Sequence, residues 1–307
     1  MQDIEAAIVY RGWVPESHHR ARIAIMNPDG TAKLLLGAMD TPTLPRSSLK
    51  PFQVIAMLEN GLDLEGEELA LAAASHHGED FHRAAAERIL EGAGLVAADL
   101  RNTVDFPIDE AARIAWIRGG HDKESIAHNC SGKHSAMMRT CVRAGWELET
   151  YRDTSHPLQK AIAATIDEYC GIEGEAVIDG CSAPAFATTL PGLAMGFGRM
   201  AAAEDGPAAA IVKAYGDHPE YVAGTGDPTI NVHKSIPGSI TKLGAEGVLA
   251  TGLPDGTGIA VKVSDGAARS RFDIMVAILS ALGHKVEGVE PTSVIAPELA
   301  MALEPIG

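Results

Sequence analysis

Ser47 and Lys50 stand three residues apart in the stretch Pro45-Arg46-Ser47-Ser48-Leu49-Lys50-Pro51-Phe52. On the opening turn of a helix that spacing puts a hydroxyl and an amine on one face. A lysine kept neutral by burial and by nearby cations, here Arg46 and Lys262, can take the serine proton and arm the oxygen as a nucleophile without histidine. The positive end of the helix would steady the alkoxide as it forms. Ser48, about 100° further around the helix, is better placed as a cap. The same spacing recurs at Ser239 and Lys242, so spacing alone does not single out a pair. Ser75 ends the apolar run "ELALAAAS", where a side chain projects into a cleft rather than a core. Lys262 lies among apolar neighbours in "GIAVKVSDG", an expensive place for a charge unless it is paired or neutral. A helix end and an edge-strand residue are the plain readings of these two.

A second group has metal-binding chemistry. "HNCSGKH" offers His128, Cys130, Lys133 and His134, and "IDGCSAP" offers Asp179 and Cys181. Thiolates with nitrogen donors suit zinc, although no paired C-x-x-C accompanies them and buried free cysteines are the plain alternative. Cys141 and Cys170 sit in helical text and read as core. His77 and His82, five positions apart, lie about 140° apart on a helix and fail the i, i+4 spacing of a zinc hydrolase.

The elements that must position these residues fall into three portions. The first forty residues alternate like antiparallel strands, with Asn27-Pro28-Asp29-Gly30 as a tight turn. From about 45 to 174 the text is mostly helical, and the Ser47–Lys50 helix should end at Asn60-Gly61. From about 175 to 307 short apolar segments bounded by glycine return, followed by the helix "ARSRFDIMVAILSALG". Strands at both chain ends must meet in one sheet, so the spacing predicts a single catalytic unit over 1–307. Its fold class is an α/β sandwich, with an antiparallel sheet built from 1–44 and about 175–307 around a helical middle.

Composition narrows the function. Acidic residues number 41 against 25 basic ones, a net charge of −16 that repels a phosphate backbone and argues against nucleic acid as partner. No apolar stretch is long enough to span a bilayer, and the N-terminus lacks a basic segment followed by an apolar one, so the protein is read as cytoplasmic with no membrane partner. Four cysteines do not make a disulfide framework.

Taken in order, "RSSLKPFQ", "SHHGE", "HNCSGKH", "DGCSAP", "GTGD", "KLGAEGV" and "KVSDG" resemble the rhizobial-type, thermolabile inducible L-asparaginases over nearly the whole chain. That resemblance implies the serine β-lactamase/glutaminase-like fold, hydrolysis of L-asparagine to aspartate and ammonia, and a homodimer. It implies two serine–lysine pairs, Ser47 with Lys50 and Ser75 with Lys262. It also implies zinc on Cys130, Lys133 and Cys181, orienting substrate rather than activating water, with Arg46, His134 and Asp179 around the substrate. The chain departs from the family where Asp227 follows Gly224-Thr225-Gly226, a place usually held by a basic residue. Glutaminase or β-lactamase chemistry, a zinc hydrolase and a non-catalytic amino-acid receptor are the alternatives.

Overall fold

Alternating apolar residues build the N-terminal hairpins. In the computed structural model, which describes residues 2–306, β1 (Ile4–Arg11) and β2 (Val14–Met26) pair antiparallel. The turn after β2 closes through Gly30 N to Asn27 O at 2.9 Å, with Gly30 at a φ of +83° that favours glycine, and leads into β3 (Ala32–Leu36). A 3-10 turn (Arg46–Leu49) then runs into α1 (Lys50–Glu59), buried from Lys50 to Met57 and ended at Asn60 and Gly61.

The helical middle continues with α2 (Gly66–Ala72), α3 (Asp80–Glu91), α4 (Glu110–Arg118), α5 (Ser131–Ala144) and α6 (Pro157–Cys170). A small hairpin of β4 (Glu173–Ile178) and β5 (Pro184–Ala187) follows, then α7 (Leu190–Ala201), α8 (Gly206–Asp217), α9 (Pro219–Val222) and α10 (Thr229–Ser235). The chain closes with β6 (Ile240–Gly244), β7 (Val248–Gly252), β8 (Gly258–Val263), α11 (Arg271–Ala281), β9 (Val294–Ile295) and α12 (Pro297–Leu303).

The expected α/β sandwich with an antiparallel sheet drawn from both chain ends is the fold observed. The sheet order is β6-β7-β8-β2-β1-β9, with β3 beside the second half of β2. One correction concerns the portion from about 175: β4 and β5 form a two-stranded sheet of their own, and the central sheet takes its C-terminal strands only from Ile240 onward.

Both sheet faces are covered. Ala24, Met26, Val248, Ala250 and Ala260 face α7 and the helical layer behind it, whereas Ile23, Ile25, Leu249, Ile259 and Val261 face α10, α11 and α12. Helix α7 lies directly on the sheet because glycines let it. A Cβ on Gly258 would sit 1.8 Å from Ala194 O, and one on Gly252 would sit 2.0 Å from Phe197 O. Among the described residues no helix is long and apolar enough to cross a membrane.

Candidate active site

Beyond α2 the chain runs as an irregular segment from Ala74 to Glu79, pinned on two sides. Ser75 N donates to Val222 O at 3.1 Å, His76 N to Asn129 O at 3.1 Å and His77 N to Ala223 O at 2.6 Å. This fixes the Ser75 hydroxyl, 4% exposed, between two lysines that are themselves buried, Lys50 at 2% and Lys242 at 1% exposure. Lys50 Nζ is 3.0 Å from Ser75 Oγ and Lys242 Nζ is 3.1 Å from the same oxygen.

The partners of the two amines differ. Lys50 Nζ has three acceptors, Ala74 O, Ser75 Oγ and Cys130 Sγ at 3.1 Å, which matches the three N–H donors of an ammonium. Lys242 Nζ has two partners, Leu243 O at 3.1 Å, which only accepts, and Ser75 Oγ, which can donate. Burial first, and then the charge of Lys50, hold the Lys242 amine well below the usual lysine range. A neutral Lys242 donating to Leu243 O keeps a lone pair for the Ser75 proton.

Lys262, expected beside Ser75, is not there. Lys242 stands across from Ala250, which in turn faces Ala260, whereas Lys262 belongs to the next row, between Val248 and Arg22. The two lysines share a sheet face, but Lys262 is two strands in from the β6 edge, and its amine turns to Glu246 O at 2.6 Å and Val263 O at 2.7 Å. The overlooked residue is Lys242. Gly244, two positions on, has no room for a side chain: an added Cβ would sit 2.2 Å from Pro45 O and 2.9 Å from Ser48 Oγ. That bare backbone lets β6 close onto the 3-10 turn, where Ser48 Oγ donates to Lys242 O at 3.1 Å. Ser48 is therefore a strap between helix and strand and caps nothing, since the α1 cap is Leu49 with no side-chain bond. Ser47 is half-buried; the Lys50 backbone N–H donates to its carbonyl, but among the described residues the Lys50 amine makes no hydrogen bond to its hydroxyl.

A second cluster abuts the first through Cys130. Cys130 precedes α5, Lys133 lies on its first turn, and Cys181 comes from the β4–β5 turn, where Ser182 takes a φ of +69°. Lys133 Nζ is 3.2 Å from Cys181 Sγ, and Cys130, Cys181 and Ala183 pack together. A hydrogen bond to Cys181 holds the Cys130 thiol well below its usual range against the opposing effect of burial, with help from the charges of Lys50 and Lys133. Burial would lower the Lys133 amine, but the neighbouring Cys181 and Cys130 sulfurs outweigh it and raise it.

Among the described residues no group of three His, Cys, Asp or Glu side chains could hold a metal. The donor set that fits zinc is two sulfurs and one amine. Ligands at the usual zinc bond lengths of roughly 2.3 Å for sulfur and 2.0 Å for nitrogen stand about 3.5 Å apart, close to the 3.2 Å observed between Lys133 and Cys181.

The residues expected around the substrate are already engaged. Arg46, in the left-handed region at φ +54°, meets Asp179 Oδ1 through Nε at 2.7 Å and Nη2 at 2.6 Å. His134 is fully buried with Nδ1 2.7 Å from the Tyr151 hydroxyl, and burial and then Lys133 lower its pKa to about 4.

The model of the L-asparaginase II family matches residues 7–301. No curated protein sequence matches the chain. Among solved structures, that of Mglu is 17% identical with a TM-score of 0.38, covering 88% of this chain and 69% of Mglu. A β-lactamase from Mycobacterium bovis is 12% identical with a TM-score of 0.42, covering 85% of this chain and 94% of its own. A protein titled putative β-lactamase from Bacteroides dorei is 14% identical with a TM-score of 0.40, covering 85% and 93%.

Proposed function

We propose that this chain, which belongs to the L-asparaginase II family and is an asparagine amidohydrolase, cleaves its substrate with the Ser75 hydroxyl held between Lys50 and Lys242. The observation that carries the reading is the pair of contacts at 3.0 and 3.1 Å from one oxygen to two buried amines. Neutral Lys242 takes the Ser75 proton as Oγ bonds to the side-chain amide carbon. Lys50, with three N–H donors in place, offsets the negative charge that develops. Collapse of the adduct breaks the C–N bond, and Lys242 returns its proton to the departing ammonia. Water then attacks the aspartyl ester, giving its proton to Lys242, and the proton goes back to Ser75 as aspartate leaves.

Exposure favours a second assignment within the same scheme. Ser47 is half-buried while Ser75 is 4% exposed, so Ser47 attacks and Ser75 passes its proton toward Lys242. Substitution separates the two. Ser75→Ala abolishes ammonia release in both, whereas Ser47→Ala keeps most turnover in the first and none in the second. Appreciable turnover by Ser75→Ala would end both. Ammonia release compared across asparagine, glutamine and a penicillin reads the substrate preference, with asparagine expected to lead.

Zinc on Cys130, Lys133 and Cys181 would supply a fixed positive charge that keeps both sulfurs as thiolates and the lysine amine unprotonated. Cys130 would still face Lys50, so the metal corner and the reacting hydroxyl share one amine as neighbour. The same reading carries a cytoplasmic homodimer, testable in solution as a species of twice the 32.2 kDa chain mass.

A further inference from the structure

An amino-acid substrate brings a carboxylate that needs a cation. The charges expected to meet the substrate are committed elsewhere, because Arg46 and Asp179 are paired with each other at 2.6–2.7 Å. The edge of β6 that carries Lys242 also borders, on the α11 side of the sheet, a cavity of about 300 Å³ whose lining includes Asp227, Thr229, Leu243 and Arg271. Arg271, the first residue of α11, is partly buried there and has no acidic partner within ion-pair distance among the described residues. One arm is fixed, since Nη1 donates to Gly244 O at 2.8 Å, and the rest of its donor fork is uncommitted.

The acids of the same cavity are occupied. Asp273 accepts from Thr292 N at 3.1 Å, Thr292 Oγ1 at 2.9 Å, Ser293 N at 2.8 Å and Ser293 Oγ at 2.6 Å. Asp227 accepts from Thr229 N at 2.9 Å and from its hydroxyl, and lies 3.7 Å from His77 Nε2. Glu290 is exposed at the rim.

The cavity is mechanically tied to the reaction centre. Arg271 holds the carbonyl of Gly244, the preceding carbonyl of Leu243 takes the Lys242 amine, and that amine touches Ser75. The charges of Asp227 and Arg271 are both felt at Lys242, and burial lowers Arg271 itself, consistent with a cation lacking its counterion.

We propose that Arg271 binds the α-carboxylate of the amino-acid substrate from the cavity along β6, and so selects substrates that carry that group. A planar guanidinium with free N–H groups suits a carboxylate, and the start of α11 adds its own attraction for negative charge. The inference rests on the amidohydrolase reading, and the test keeps the two apart.

Wild type and Arg271→Gln are compared on asparagine and on 3-aminopropanamide, which is asparagine without its α-carboxylate. The expected result on asparagine is a KM raised about 10- to 100-fold with kcat little changed. On 3-aminopropanamide the loss should be far smaller, limited to what the freed Gly244 carbonyl passes on to Lys242, a split that a merely structural role would not produce. Equal losses on both substrates, or an unchanged KM for asparagine, would overturn the assignment. Calorimetric binding of L-aspartate to both proteins gives a readout that needs no turnover. Weaker binding by Arg271→Gln in a protein that releases no ammonia would support the carboxylate site while the amidohydrolase reading fell. Equal binding would overturn the site. Arg271→Lys keeps the charge and serves as the second variant if Arg271→Gln does not fold, with an intermediate rise in KM confined to asparagine expected and an equal loss on both substrates contradicting it.

Discussion

A lysine buried to 1% exposure with, among the described residues, a carbonyl and a hydroxyl as the hydrogen-bond partners of its amine carries a cost that a neutral amine avoids. Because burial and Lys50 push its pKa down, Lys242 loses its proton at a lower pH than an exposed lysine. The base is the unprotonated form. The kcat/KM profile for asparagine should therefore rise with pH through that lowered value and fall as acid restores the charge; a profile falling across the same range would contradict the assignment. Lys242→Arg, charged at every pH, should lose roughly 100-fold or more in kcat, the usual worth of a general base. Lys262→Ala should stay within about two-fold of wild type, because among the described residues the Lys262 amine bonds carbonyls of the β6–β7 turn and β8 and no reacting group. Steady-state ammonia release from both variants checks the contrast. The choice between these lysines was not legible in the sequence, since both stand in apolar strand text. Ser75 and Lys50 were recognisable from their segments, but that Lys50 turns to Ser75 and Cys130 depends on contacts across 25 and 80 residues.

At the scale of elements, the position of Lys242 depends on how closely β6 approaches the 3-10 turn. Gly244 leaves no room for a Cβ, and Ser48 bonds the carbonyl of Lys242 itself. Gly244→Ala should therefore cost about 1–3 kcal/mol in urea unfolding and lower kcat by displacing Lys242. Ser48→Ala should cost about 1 kcal/mol with a smaller effect on kcat. Unchanged kcat in Gly244→Ala would show that the strand is free to move without disturbing the chemistry. Strand alternation marked β1, β2 and β3 in the sequence, glycine-bounded apolar segments marked β7 and β8, and the Asn60-Gly61 stop marked the end of α1. What alternation does not encode is order. That β6 is the edge and β8 an inner strand follows from long-range pairing, and the small β4–β5 sheet reads locally like any other pair of strands.

The whole molecule places its sheet between two apolar layers and its chemistry where β6 meets the helical layer, with the cysteine corner and the reacting hydroxyl joined through Lys50. Cysteine substitutions test that arrangement from the metal side. Cys181→Ala should lose bound zinc as measured by elemental analysis, whereas Cys141→Ala, whose thiol is buried in the core with its pKa pushed up to about 12, should retain it. Equal zinc content in the two variants would argue that the corner holds no metal. The net charge of −16 argued against a polyanionic partner at the level of composition, and the order of motifs indicated the family over nearly the whole chain. Cavities such as the one beside Arg271 leave no such trace, because their walls come from segments that meet only in the folded chain.

In the proposed mechanism one oxygen, Ser75 Oγ, gives up its proton to a neighbouring uncharged amine. Acid quenching of the enzyme during turnover of asparagine, followed by peptide mapping by mass spectrometry, locates any aspartyl ester directly. The prediction is an ester on the peptide containing Ser75, absent from Ser75→Ala and diminished in Lys242→Arg. An ester found only on the peptide containing Ser47, or turnover with no ester on any serine, would contradict it.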